Sequence, residues 1–595
     1  AEGRGELVCC QDTGVKEYRM ARVSFARVRW LALLAQSISM IPPAIADTTN
    51  AARSALKPTV SARGAAVEIR REALLPPNGP QGRPLPLASH WNTGTVKGTF
   101  EPNHQIELIQ RGSHILPWCA WPQPNLSDRK QQDRFMNYYA ELIALCRTLK
   151  LPLSIRATQW EAMLLKKDYR QGPVNRWAGT LTPEGGRMPR LSPLGPIEPW
   201  KDPAKFYVDT AGMKRLQEMY PDPPLVLWLS NNEAPDLRWH QMRYSKRYGD
   251  KYGKGRSDEF KRKVVSEGWM ERYRVMFQAM RRALVSEVWR KNVRFVGYGA
   301  FGPSHFGRWG AWKQYSLITG DWTSPNWRIW DGGSPSYYTH NWCDNRDHWV
   351  WSTQVQSMNW IFQLAEAWKT NPKFWFEIST WDGNEVGAWM KGLAVKGKSI
   401  DTALLKKSKA LQYLKDGQDY PPARTLGWVQ FGMWLLRPRA VREFRGHATP
   451  LKNVKEYWLQ TVKAVDRVYS NKTLEEFWRF GQLAPNLAHR HPYQKAIPAK
   501  YAKIHRWFLL DTSLDPPRPW TMKTNLPVFS MVLVRGKKPS RRWLLYAHAP
   551  LGNRKGVRIT IPGYRDVTVD APRAGVFCLI QEASGRTSIV DLAVR

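Results

Sequence analysis

The sequence predicts an α/β fold in which parallel strands alternate with helices, followed by an antiparallel β domain. Three observations carry this expectation. Between about residues 100 and 440, short apolar runs alternate with stretches of helical period, as β-α-β crossovers in series require. From about Thr521 the pattern changes to brief alternating runs separated by turn residues. At 595 residues the chain exceeds one ordinary domain, and a hydrophobic content of 43% suffices for a sizeable core.

The elements follow in order. Residues 1–46 read as an upstream tail and secretory signal. Met20 is followed by Arg22, Arg27 and Arg29, then by the apolar Trp30-Leu-Ala-Leu-Leu-Ala35, then by Ala44-Ile-Ala46 as a small-x-small cleavage site. That apolar stretch is too short to span a bilayer, so an exported chain without a membrane span is expected. Residues 47–90, rich in Pro, Ala and Arg, read as a linker or extended arm. Ile106–Gln110 and His114–Trp118 are the first two strand candidates, and a helix is expected from Ser127 to about Leu149. Leu151–Arg156 would be the third strand and Leu225–Ser230 the fourth.

Residues 159–224, between those strands, exceed a simple crossover and carry turn chemistry at Gly172-Pro-Val and Leu194-Gly-Pro, which points to a loop insertion. A second insertion, 238–263, holds ten Lys/Arg against three Asp/Glu. Val293–Tyr298 supplies the fifth strand and Tyr337–His340 the sixth. A helix over 354–368 precedes the seventh strand, and Leu426–Trp434 reads as the eighth. Beyond Thr521, the runs at 528–534, 543–546, 557–561, 567–569 and 575–580 predict an antiparallel β-sandwich over 521–595.

Two strand-like runs present a glutamate where they end: Leu225-Val-Leu-Trp-Leu-Ser-Asn-Asn-Glu-Ala-Pro235 and Phe374-Trp-Phe-Glu-Ile-Ser-Thr-Trp-Asp382. Glycosidic cleavage needs one carboxylic acid to protonate the leaving oxygen and one carboxylate to attack or stabilise the anomeric carbon. Two strand ends on one rim could hold both. The segments resemble clan-A glycoside hydrolases, (β/α)8-barrel (TIM-barrel) enzymes whose acid/base is an Asn-Glu pair after the fourth strand and whose nucleophile ends the seventh. Asn232-Glu233 matches the first element and Glu377 the second, 144 positions on (377 minus 233). The resemblance implies a retaining enzyme on a barrel over 91–515, with Glu233 as acid/base and Glu377 as nucleophile. It also implies that Asn232 bonds the sugar 2-hydroxyl and that Trp381 and Trp434 form the aromatic platform under the sugar.

Competing readings stand beside these. Glu233 could be a strand-end carboxylate paired with an arginine, and Asp382 and Glu385 are rivals to Glu377. A buried Glu377 needs partners; Tyr338 or His340 could orient it and Arg156 could hold it ionised. Tyr298, at the fifth strand end, is a further candidate for substrate contact. Arg238, with Arg243, Lys246 and Arg247, is a candidate for binding an acidic sugar, against the default of a solvated loop. Trp434 could equally be core.

Composition bounds the substrate. The net charge is +40, and residues 1–46 hold six Lys/Arg and four Asp/Glu, which leaves about +38 without them. Such a field concentrates polyanions. Export and paired carboxylates favour a sulfated or uronate-containing polysaccharide over nucleic acid, with surface solubility as the plain alternative. The 31 tryptophans exceed packing needs, and those in polar stretches such as Arg308–Trp312 suit sugar stacking, although core packing accounts for at least half. Four cysteines outside the leader, Cys119, Cys146, Cys343 and Cys578, form no metal pattern and leave one disulfide open. No P-loop, zinc motif, dinucleotide fingerprint or Ser-His-Asp set appears. The expectation is a secreted retaining hydrolase of a β-linked, anionic polysaccharide, needing no metal or cofactor. The alternatives are a neutral β-glycan substrate or a non-catalytic polysaccharide-binding protein on the same barrel.

Overall fold

The computed structural model describes residues 57–91, 102–122, 129–156, 159–230, 237–297, 328–338, 360–361, 364–365, 367–381, 421–444, 451–484, 509–510, 528–549, 553–561 and 563–592. Eight parallel strands among these form the barrel: β1 (Leu87–His90), β2 (Trp118–Ala120), β3 (Leu153–Arg156), β4 (Val226–Ser230), β5 (Val293–Gly297), β6 (Gly332–Gly333), β7 (Trp375–Trp381) and β8 (Ala440–Glu443). The hydrogen-bonded order runs β1-β8-β7-β6-β5-β4-β3-β2. Ala88 then pairs in parallel with Ile115, just ahead of β2, and closes the ring. Beyond β6 the chain resumes pairing with β7 at Ser336–Tyr338.

The strands are short and buried on both faces, as a barrel wrapped in helices demands. In β4 all five residues are buried. Its Trp228 lies beside Phe295 of β5, and Trp160, Phe277 and Trp330 complete one aromatic wedge, with Phe277 stacked on Phe295 at 4.9 Å and 9°. Among the described residues 17 tryptophans are buried in the core, so packing accounts for more than half of the chain's 31. Those of Arg308–Trp312 lie outside the described residues.

Helices α1 (Val60–Leu74), α2 (Pro102–Gln110), α3 (Arg129–Leu149), α4 (Ala211–Met219) and α5 (Asp258–Ala283) belong to the outer layer. Ser257 caps α5, Asp258 and Glu259 occupy its first turn, and Arg281 and Arg282 its last, so charge and helix dipole agree at both ends. Arg281 then fastens the helix to the barrel through Asp331 at 2.7 Å and the Val293 carbonyl at 3.0 Å.

Several expectations are corrected. Residues 47–90 are no mere arm, since they contain α1 and the first strand. Ala62, Ala65, Ala66, Ile69 and Ala73 bury one face of α1, a spacing masked by small side chains. Arg439 donates to the carbonyls of Glu72, Ala73 and Leu75 at the end of that helix. Ile106–Gln110 belongs to helix α2, whose apolar run is too short to distinguish helix from strand. Leu426–Trp434 is not the eighth strand but lies within helix α6 (Pro422–Leu436). Every described residue of α6 from Arg424 to Leu436 is buried, because the barrel packs on one side and the C-terminal sheet on the other. A helix buried all round shows no amphipathic period. Gly427 and Gly432 make the two contacts possible: a Cβ on Gly432 would sit 2.5 Å from the Tyr337 ring, and one on Gly427 2.5 Å from His548. Helices α7 (Leu451–Ser470) and α8 (Lys472–Phe480) follow β8.

The C-terminal domain comprises β9 (Phe529–Arg535), β10 (Arg542–His548), β11 (Arg554–Thr560), β12 (Asp566–Ala571), β13 (Val576–Gln581) and β14 (Arg586–Ile589). One antiparallel sheet runs β9-β10-β13-β14, and the β11–β12 ribbon packs on it around Val532, Trp543, Leu545, Ile559 and Val569. Alternate residues, Met531, Leu533, Leu544, Tyr546 and Phe577, face the main core. The sheet also takes in Gln482–Leu483 and Leu509–Leu510, ahead of the expected start at 521.

Candidate active site

Glu377 lies on the seventh barrel strand, but not where the strand ends. It is the third of seven residues in β7, paired with Ala440 at the start of β8. Its side chain enters the barrel interior and is fully buried. Burying an isolated carboxylate costs several kcal/mol or more, so every lone pair must be used. Here they are used. Oε1 accepts from Arg442 Nε at 2.7 Å and Ser334 Oγ at 2.8 Å, and Oε2 from Arg442 Nη2 and the Trp375 indole, each at 3.1 Å.

Arg442 is the residue that the sequence reading missed. From β8 its guanidinium also donates to Ser89 Oγ at 2.8 Å and His90 O at 3.2 Å on β1, and to Ser154 Oγ at 3.2 Å on β3. One side chain therefore ties four strands together across the barrel axis. Neither Arg442 nor Glu377 has any exposed side-chain surface. The planar five-donor fork of arginine suits this task, whereas a lysine could not span it. Two residues nearer the β7 end, Ser379 Oγ accepts from the Trp91 indole at 2.7 Å. The Trp91 ring lies 5.7 Å from the Arg442 guanidinium and edge-on to Phe444 at 5.8 Å, so it stands over the ion pair where β1, β7 and β8 meet.

The other anticipated residues divide as follows. Asn232, Glu233, Tyr298 and His340 lie outside the described residues, as do Asp382 and Glu385. Strand β4 ends at Ser230, three positions before Glu233. The backbones of Tyr338 and Trp381 pair in register. Arg156 is half-buried at the end of β3, two residues on from Ser154. Among the described residues, Ser334 and Trp375 orient Glu377 and Arg442 supplies a cation beside it. Trp434 is corrected outright: it is buried in α6 against Trp478 and Phe577, at 5.1 and 5.2 Å, because the segment is helical.

The basic insertion after β4 is largely committed to its own packing. Arg247 donates to the carbonyls of Gly179 at 2.6 Å and Trp177 at 3.0 Å, stapling the hairpin Gly179–Leu181/Arg187–Leu191. Lys246 pairs with Asp250, Lys261 with Asp258, and Arg262 lies over Trp239. Arg238 is half-buried, with its backbone N–H on Gln241. Burial, and then the fields of Arg238 and Arg243, push the His240 imidazole below its ordinary range.

The buried thiols offer no nucleophile. Cys119, Cys146 and Cys578 are free, and burial pushes Cys119 up to about 12 and Cys578 to about 11. Among the described residues no group of His, Cys, Asp and Glu is arranged to hold a metal, and no helix is long and apolar enough to cross a membrane.

No protein-family model matches the chain, and no curated protein matches it. Among solved structures it is similar to the endo-beta-1,4-mannanase from Thermotoga petrophila, at 9% identity over 83% of this chain and 98% of that chain, with a TM-score of 0.35. At that level the fold rests on this chain's own strand order.

Proposed function

We propose that this chain is a retaining glycoside hydrolase acting on a β-linked, anionic polysaccharide, with Glu233 as acid/base and Glu377 as nucleophile. One observation carries the reading: counted round the closed barrel, the strand leading to Glu233 is the fourth and the strand bearing Glu377 is the seventh. Those are the two positions that the clan-A resemblance assigns to acid/base and nucleophile. In this scheme Glu233 protonates the departing oxygen while a Glu377 oxygen attacks the anomeric carbon. Glu233 then deprotonates water, which cleaves the glycosyl ester. Oε2, with its two longer hydrogen bonds, is the oxygen more easily released for attack. Arg442 and Ser334 keep hold of Oε1.

The full burial of Glu377 favours a second reading, in which Glu377 and Arg442 only brace the barrel and Asp382 or Glu385 attacks. Export is proposed from the leader-like residues 20–46 and an acidic substrate from the charge of +40. The test is a hydrolysis screen over sulfated galactans, uronans and neutral β-glucans, with products sized and the first-formed anomer read by NMR. Retention on an acidic polymer supports the proposal; inversion contradicts its mechanism, and absence of turnover on every polymer leaves a binding protein.

A further inference from the structure

The barrel chemistry leaves most of the +40 charge unused, and at one end of the C-terminal domain that charge is organised. Arg535, Arg542, Gln581 and Arg586 stand in register across β9, β10, β13 and β14. Glu476 of α8 pairs with both Arg535 and Arg542. Three turns, those joining β9 to β10, β11 to β12 and β13 to β14, meet beyond this row. Arg541 ties two of them together, donating to Glu582 at 2.5 and 2.9 Å and to the Gly563 carbonyl at 2.8 Å, while Arg565 reaches the Gly585 carbonyl at 2.5 Å.

An aromatic stack fixes the two guanidinium groups. Arg565 lies over Tyr564 at 5.2 Å, Tyr564 stacks on Trp543 at 5.6 Å and 26°, and Arg541 lies over Trp543 at 4.6 Å. Lys537, Lys538, Arg565 and Arg586 are exposed around it. The hydrogen bond from Arg541, then that from Trp543 and the fields of Arg541 and Lys538, hold the Glu582 carboxyl below its ordinary range. Five cations thus face one carboxylate, Glu582, while Asp566 turns to Arg558.

We infer that these three turns form a binding face, on the C-terminal domain and not on the barrel, for a polysaccharide chain bearing sulfate or carboxylate groups. Arg541, whose fork is held by Glu582, orders the turns. Arg565, pinned by stacking and by one bond to Gly585, loses little freedom when it binds an oxyanion, whose geometry a guanidinium matches. The flanking lysines add non-directional attraction. Nucleic acid fits less well: Trp543 is buried and Tyr564 is engaged by Trp543 and Arg565, so the cluster offers charge without the open aromatic faces on which unpaired bases stack. The choice of a saccharide polymer rests on the hydrolase proposal, whereas the anion-binding face does not.

The test measures binding of the full chain, carrying Glu233→Gln to prevent turnover, to dextran sulfate, polygalacturonate, neutral dextran and single-stranded DNA. The variant Lys537→Ser/Lys538→Ser/Arg565→Ser/Arg586→Ser should bind dextran sulfate roughly tenfold more weakly at low salt, where exposed charge pairs act. A control that removes the same charge from the barrel surface, Lys205→Ser/Lys214→Ser/Arg215→Ser/Lys291→Ser, should stay within about twofold. Equal losses in both variants would overturn the face in favour of diffuse charge. Tighter binding of DNA than of the sulfated polymer would overturn the saccharide assignment, and no binding to any polyanion would overturn both. Failure of hydrolysis alone would leave this result untouched.

Discussion

Glu377 and Arg442, 65 positions apart, meet inside the barrel at 2.7 and 3.1 Å with neither side chain exposed. Desolvation of both charges costs several kcal/mol per ion, and only the shared hydrogen bonds with Ser89, Ser154, Ser334 and Trp375 make the arrangement tolerable. Arg442→Met should therefore cost about 3–5 kcal/mol, because Glu377 is left buried without its cation. Adding Glu377→Gln should restore part of that loss. Urea denaturation of the two single variants and the double variant checks this, and strict additivity would show that the residues are not coupled.

A second prediction concerns pH. His114 is held between two carboxylates, Nδ1 to Asp466 at 2.9 Å and Nε2 to Glu68 at 3.0 Å, and stacks on Tyr469 at 3.5 Å. Burial pulls the imidazolium toward neutrality, but the hydrogen bonds and fields of Asp466 and Glu68 outweigh it and raise its pKa above 6.5. Glu68 is lowered below 4.5, first by the hydrogen bond from His114, with Arg71 and Arg479 adding their fields. A raised histidine contributes stability that is complete below its unfolded value and lost as pH rises through the folded one; a lowered carboxylate contributes above its unfolded value and loses it on acidification. The clasp joining α1 to α7 should be strongest between about pH 4.5 and 6.5. His114→Gln should destabilise most in that window, with the deficit shrinking at alkaline pH, as thermal melts across pH would record. A deficit that grows toward alkaline pH would contradict the charged clasp.

A third prediction tests the helix wedged between the two domains. Gly427→Ala would push a methyl against the Arg573 carbonyl and His548, where Tyr546 also donates to the Gly427 carbonyl at 2.8 Å. Overpacking of this kind costs about 1–3 kcal/mol or more. Calorimetry should show a lower Tm, while Gly249→Ala, whose added Cβ meets nothing within 4 Å, should not lower it.

How far the fold was legible follows from what each element buries. Strands β3, β4, β5 and β7 announce themselves because their outward residues, such as Ile155, Trp228, Phe295 and Phe376, are apolar and bulky. Strands β1 and β8 read Leu-Ala-Ser-His and Ala-Val-Arg-Glu, since Ser89 and Arg442 serve the polar interior, and that breaks the apolar signal. Helix α6 imitates a strand for the opposite reason, being apolar on every side. Glu377 could be picked out as a lone carboxylate in an aromatic run. Its partner could not, because a contact across 65 positions leaves no local mark; the nearest clue was an Arg-Glu pair in the otherwise apolar Ala440-Val-Arg-Glu-Phe444.

The proposal that Glu377 is the nucleophile meets its most direct test in covalent trapping. The chain would be incubated with a 2-deoxy-2-fluoro glycoside of its best substrate, digested, and the labelled peptide sequenced by mass spectrometry. A glycosyl ester on Glu377 is the expected result, lost in Glu377→Gln while Glu233→Gln still labels with a good leaving group. An ester on Asp382 or Glu385, with Glu377 unlabelled, would contradict it and leave the Glu377–Arg442 pair as a brace of the barrel.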